Sequence, residues 1–355
     1  MCTWKPMVRW GLVVLVALGT AGLPPEADAG QLIFSAYGGD YGEVMRKHIL
    51  TPFEKKFGTK VVDDETGSSP EKLAKLRATK GTYSHDVVLL VEFDAGAAGR
   101  EGLLDPIGAA QVPNFAKLYP FAQTLSGGFG PVVAMDVLTL VYNKNQVKPA
   151  PTSWEALWDP KYKGRVAISH MSEVKGLYLL LLAAYMTGGS EKDVDRGFTK
   201  VGQVVPNVGA WLTASPQYVP YLQREEVWLT PYWNGRTQYL KDQGLPIDSV
   251  IPKEGTIPIT NVFTVPKTAK DKDLAYKFIN FFLEEAQQRA WAEAIYYGPT
   301  NKEVKLPPEV ARRIPYGPEQ IGALKFPDQE ALVKNRGPWI ERWNKEIQNA
   351  LRYAK

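Results

Sequence analysis

Few side chains in this sequence have the types and spacing that catalysis demands. The three histidines, His48, His85 and His170, are scattered, and none falls in a metal-ligand spacing such as H-E-x-x-H. No G-x-S-x-G elbow occurs, and the single cysteine is Cys2. The pairs Asp63-Asp64 and Glu225-Glu226 read as strand-edge carboxylates in water. The loop Tyr37-Gly38-Gly39-Asp40-Tyr41-Gly42 loosely resembles a phosphate cradle, but it lacks both the P-loop lysine and the dinucleotide spacing. Its plainer reading is a strand-to-helix turn that needs positive φ. No nucleophile–base constellation can be assembled, so the expectation is a binder with no enzymatic activity, no cofactor and no metal site.

The elements that must position a binding site alternate as in an α/β protein. Residues 31–36 read as a strand, 37–42 as a loop and 43–57 as a helix, with Met45, Ile49, Phe53 and Phe57 on one face. Gly58 ends that helix, and a strand begins at 60–63. Ser69 as N-cap and Pro70 in the first turn open another helix, with Leu73 and Leu76 facing inward. Residues 86–91 are apolar enough for a strand buried on both faces. A second unit repeats the pattern, with strands at 138–143, 165–169 and 226–232 and helices at 153–157, 177–186 and from 234. Further strands are expected at 249–251 and 261–265, a long helix at 274–294 and a final helix at 337–353. The alternation predicts two lobes, each a mostly parallel sheet flanked by helices, with hinge crossovers near Leu138 and Asn261. The expected division is 30–138 with 262–304 for the first lobe and 139–261 with 305–355 for the second.

The chain start predicts export. Lys5 and Arg9 precede an apolar run from Gly11 to Ala21, Pro24 and Pro25 break it, and Ala27-Asp28-Ala29 offers a small-residue cut before Gly30. Eleven apolar residues fall short of the roughly 20 that a spanning helix needs. Removal of residues 1–29 takes Cys2 away and leaves 326 residues with 40 basic and 36 acidic side chains, so the net charge stays +4. A thiol-free exported chain must rely on a large buried core. The mild charge and the lack of a basic block make nucleic acid an unsuitable partner.

Four segments carry a resemblance to a known family. They are Tyr37 to Val62 with its Pro52-Phe53-Glu54-Lys55 and Gly58, and Pro151-Thr152-Ser153-Trp154 through Leu157-Trp158-Asp159-Pro160-Lys161-Tyr162-Lys163-Gly164. The third is Tyr232-Trp233-Asn234-Gly235 followed by Pro252-Lys253-Glu254-Gly255, and the fourth runs from Ala275 to Phe282 and on through Tyr297-Gly298-Pro299-Thr300-Asn301. The chain thereby resembles the spermidine/putrescine-binding type of periplasmic solute-binding protein that serves ABC importers. The resemblance implies a monomeric periplasmic receptor that closes on a small organic ligand and docks on the transmembrane permease subunits. A periplasmic sensor subunit, an exported enzyme and a ferric-ion carrier using Tyr296-Tyr297 are the other readings.

Ligands of open α/β lobes bind beyond the carboxyl ends of strands, beside helix N-termini. That rule selects Tyr37, Gly38, Gly39 and Tyr41 after the first strand, Glu92 and Phe93 after 86–91, and Ser169 and Glu173 after 165–169. It adds Trp233, Arg236, Asn261 at a lobe crossover, and Tyr297. The resemblance gives cleft roles to Tyr37, Phe93, Trp233, Asn261 and Tyr297. Trp154, Trp158, Phe278, Phe281 and Phe282 read as core. Two departures bear on the ligand: Ile259 and Asn261 stand where polyamine binders of the family carry an aromatic residue and an Asp. Arg236 at a helix start is either an anchor for an anion or an inter-lobe salt bridge. As an anchor it would suit a zwitterion of the 4-aminobutyrate type, with Glu92 or Glu173 taking the amine.

Overall fold

The computed structural model describes residues 1–3, 30–80 and 82–350. The leader read over residues 1–29 therefore lies almost wholly outside the described residues, as does the end of the helix expected to reach 353. In chain order, the first lobe opens with β1 (Gln31–Ser35), α1 (Asp40–Met45), a π-turn (Arg46–Leu50) and α2 (Thr51–Phe57). β2 (Lys60–Asp64), α3 (Ser69–Ala78), β3 (Val87–Leu90), α4 (Glu92–Arg100) and α5 (Pro120–Thr124) follow. The twelve-residue β4 (Val132–Asn143) leads into β5 (Val166–Ser169), α6 (Val174–Met186), α7 (Asp195–Val204), β6 (Val208–Leu212) and α8 (Tyr218–Gln223). Next come β7 (Leu229–Trp233), α9 (Asn234–Asp242), β8 (Ile247–Val250), β9 (Pro258–Thr264), α10 (Lys272–Phe282), α11 (Glu285–Ile295) and β10 (Gly298–Pro299). α12 (Pro308–Ala311), α13 (Gly317–Gly322) and α14 (Gln329–Trp343) close the chain.

Strand pairing makes two half-sheets that share β4. Its first half pairs antiparallel with β9 and β10, and from Leu138 onward it pairs antiparallel with β7 and β8. The outer strands are parallel: β1 with β2 and β3 in one half, β5 with β6 and β7 in the other. The protein is thus two-lobed, with mixed sheets flanked by helices. One core gathers Phe34, Phe53, Phe263, Phe278 and Phe282, and the second gathers Trp154, Leu177 to Ala184, Phe198 and, from α14, Trp339 and Trp343. Each such aromatic removed from water contributes about 1.5–3 kcal/mol.

Local physics explains where the elements depart from expectation. The first helix starts at Asp40, three residues early, because Gly39 at φ 66° turns the chain directly into it. Ser68, not Ser69, caps α3, in a reciprocal box with Glu71. The helix expected over 274–294 is two, since Glu284 is extended between α10 and α11. Asn301 Nδ2 and Gln288 Nε2 take the freed α10 carbonyls of Leu283 and Phe282 at 2.9 and 3.3 Å. β4 begins six residues before 138, and the final helix begins at Gln329 with Pro338 inside it. α4 was not foreseen at all: Ala95, Gly96, Ala97, Ala98 and Gly99 offer little periodicity, and the helix exists because its small residues pack closely.

Candidate functional site

Contacts between the lobes join residues that follow β1, β3 and β7: Glu92 meets Tyr178, Tyr178 meets Trp233, and Arg236 meets Asp40. On the first-lobe side Tyr37 and Tyr41 stand edge-to-face at 5.4 Å, and Tyr41 contacts Trp291 at 4.9 Å and Tyr297 at 6.2 Å. Asn261 Nδ2 donates to the Tyr41 hydroxyl at 3.1 Å, which holds that ring in place. Tyr37 lies close to the carboxylates of Asp94 and Glu92, and burial together with these charges pushes its phenol pKa well up. Gly38 and Gly39 are exposed at the rim.

Glu92 opens α4 and is only 2 % exposed. It accepts from Thr260 Oγ1 at 2.6 Å and from the hydroxyl of Tyr178, on α6 of the other lobe, at 3.3 Å. Burial raises its pKa to about 7, against the opposing effect of the Thr260 hydrogen bond. Beneath Tyr37, the buried Lys72 reaches the carbonyl of Ala36 and sits 4.4 Å from the Tyr37 ring centre. Burial lowers its pKa to about 7. Its protons point to main-chain carbonyls at the strand ends.

The second-lobe side is built differently. Trp233 ends β7, is 7 % exposed and meets Tyr178 edge-to-face at 6.2 Å. The α9 N-terminus is tied down by Asp136 of β4, whose carboxylate accepts from Gly235 N at 3.0 and 3.1 Å. Burial raises the Asp136 pKa to about 8. A Cβ on Gly235 would lie 2.7 Å from both the Ile295 carbonyl and the Tyr297 ring, so glycine there lets the lobes approach. Arg236 forms an ion pair with Asp40 of α1 and lies beside Tyr232. Burial opposes its charge, and Tyr232 and Asp40 outweigh that effect. Of the two readings of Arg236, the inter-lobe salt bridge is the arrangement present.

Three further assignments need revision or sharpening. Phe93 is 1 % exposed and packs in the second core with the Arg336 guanidinium 5.5 Å from its ring, so it fills the space between α4 and α14. Ser169 shares a 2.6 Å hydrogen bond with Tyr218, and Glu173 is held by Lys175 at 2.7 Å. Tyr296 and Tyr297 diverge: Tyr296, at φ 61°, bonds Asp242 at 2.5 Å and stacks on Arg313, away from the cleft. Tyr297 instead packs on Tyr41 and Trp291. Lys72, Asp136, Lys175, Tyr178 and Thr260 escaped sequence selection. A lone acid within an apolar strand signals Asp136, and a lysine in the first turn of a wholly apolar helix, against the helix dipole, signals Lys175.

Comparison with known proteins adds the family. Residues 48–315 match the bacterial extracellular solute-binding protein family, which is three quarters of the chain. The chain belongs to that family. It is similar to the spermidine/putrescine-binding periplasmic protein of Escherichia coli, 29 % identical over 344 residues that cover 94 % of each chain. It is also similar to the gamma-aminobutyric acid-binding protein of Pseudomonas aeruginosa, 26 % identical with 90 % of this chain and 91 % of the relative covered. Among solved structures, an ABC transporter protein from Clostridium perfringens superposes with a TM-score of 0.75 at 26 % identity, covering 89 % of this chain and 99 % of that one. Among the described residues no helix is long and apolar enough to cross a membrane.

Proposed function

We propose that this solute-binding protein is the periplasmic receptor of an ABC importer, and that its solute carries an amine together with a carboxylate or similar anion. In this reading residues 30–138 with 262–304 and residues 139–261 with 305–355 form the two lobes. The leader is cleaved before Gly30, and the monomer hands its ligand to the permease without chemical change. The observation that carries the reading is Glu92. It is a buried carboxyl between the lobes that accepts from the Tyr178 and Thr260 hydroxyls, beside an aromatic wall that suits an ammonium ion. A polyamine needs several such carboxylates, because each buried ammonium is costly without a partner. Asn261 supplies an amide where an acid would serve it, and the carboxylates Asp40 and Glu173 are already engaged by Arg236 and Lys175.

Calorimetric titration of ligand-free protein with spermidine, putrescine, 4-aminobutyrate and 2-aminoethylphosphonate tests this. Tight binding of a zwitterion with weak or absent polyamine binding is expected. Preference for spermidine or putrescine would overturn the charge assignment, and no binding of any amine would overturn the amine assignment.

A further inference from the structure

The second lobe holds a buried cation at the start of α6. Lys175 sits in the first turn of α6 at the carboxyl end of the β5–β7 pair and is 1 % exposed. Its Nζ donates to Glu173 Oε2 at 2.7 Å and to Ser215 Oγ at 2.6 Å. The rings of Tyr218, Tyr232 and Trp233 surround it at 5.4, 5.8 and 5.6 Å. An ammonium has three donor positions, and these partners use two. Glu173, the N-cap residue of α6, offsets the lysine's charge against the helix dipole, and the third donor position is left for a further acceptor. Arg236, the other cation of this wall, pairs across the lobes with Asp40, whereas the partner of Lys175 lies on its own lobe.

We infer that Lys175 is the residue that selects for an anionic ligand end: the donor position that Glu173 and Ser215 leave on its ammonium receives the carboxylate or phosphonate, and its charge excludes a second ammonium. This rests on the amine-solute reading above. The ligand's amine then points to Glu92 of the first lobe and its anion to the second lobe, with Trp233 flanking both. Arg236 closes the lobes through Asp40 and leaves ligand selection to Lys175.

The test uses two ligands with the same four-carbon spacing, 4-aminobutyrate and putrescine, which differ by a carboxylate in place of an ammonium. Lys175→Met keeps length and removes charge, so the core around it stays filled. Loss of a charged hydrogen bond is expected to weaken 4-aminobutyrate about ten- to a hundredfold. Putrescine should bind more tightly in the same variant, because Glu173 is freed to accept its second ammonium. A packing defect would weaken both ligands in parallel, and that result overturns the inference, as does unchanged 4-aminobutyrate affinity. Lys175→Gln, checked for an unaltered melt, guards against misfolding of the methionine variant and should show the same opposite shifts. If the unaltered protein binds neither ligand nor 2-aminoethylphosphonate, the proposed function fails and this inference with it. If it binds a zwitterion that Lys175→Met holds equally well, only the role of Lys175 fails.

Discussion

The two walls of the proposed ligand site are made from different chemistry. The first-lobe wall is phenolic, with Tyr37, Tyr41 and Tyr297 around Glu92, a carboxyl raised to about 7 by burial. Its one lysine, Lys72, is turned under Tyr37 onto main-chain carbonyls. The second-lobe wall presents Trp233 with two cations, Lys175 and Arg236, at the starts of α6 and α9. Each of these cations has a carboxylate partner, Glu173 for Lys175 and Asp40 for Arg236, so the wall offers the remaining ammonium donor position to an anion, whereas the opposite wall can accept a cation. A cleft polarised in this way favours a ligand with opposite charges at its two ends over one that is cationic throughout.

The largest effect that would sharpen the contrast is titration of Glu92. Its folded pKa of about 7 lies above the ordinary 4.5, so its contribution to stability is complete below about pH 4.5 and is lost as pH rises through 7. Asp136, raised to about 8, acts with the same sign, and Lys72 acts oppositely between its ordinary value and about 7. The difference between unaltered protein and Glu92→Gln isolates the Glu92 part. Its stability advantage should fall by on the order of 3 kcal/mol between pH 4 and 8, read by urea unfolding. Parallel curves for the two proteins would show that Glu92 ionises freely and that the first wall is ordinary.

Next in size is Trp233. Removing a dry aromatic face costs about 2 kcal/mol of binding, so Trp233→Ala should bind ligand about 30-fold more weakly while keeping a cooperative melt. Loss of that melt would assign the residue to the second core, against which it also packs. Asp136→Ala leaves the Gly235 amide buried without an acceptor and should cost about 1–2 kcal/mol of stability, whereas Asp136→Asn keeps the acceptor and most of that stability. The smallest effect belongs to the Arg236–Asp40 pair. Both side chains are partly exposed, at 27 and 37 %, so Asp40→Asn should weaken ligand binding less than about fivefold. A hundredfold loss would move Asp40 from the lobe contact into the ligand site.

Much of the fold was legible because apolar runs of the right length leave few alternatives. The fully buried Val87–Leu90 strand and the all-apolar Leu177 to Ala184 stretch read correctly as elements. Boundaries failed where a single residue or tertiary contact decides them, as at Gly39, Ser68 and Glu284. The strand-end rule brought Tyr37, Tyr41, Glu92, Trp233 and Tyr297 to one place. It misjudged Phe93, because the helix α4 that rotates this ring into the second core has too weak a pattern to be seen. It also missed Lys175, since the helix is expected from 177 and this lysine then falls in the loop before it. Only the folded chain reveals that three aromatic rings enclose it.

The orientation of the ligand tests the polarised cleft most directly. A crystal structure of the complex with 4-aminobutyrate, or with whichever zwitterion of the panel binds most tightly, reads that orientation at once. The account requires the ammonium beside Glu92 and the Tyr37 ring, and the anion within hydrogen-bond reach of Lys175 at the start of α6. An anion seated at the first-lobe wall, or a ligand held without contact to Glu92 and Lys175, would contradict it.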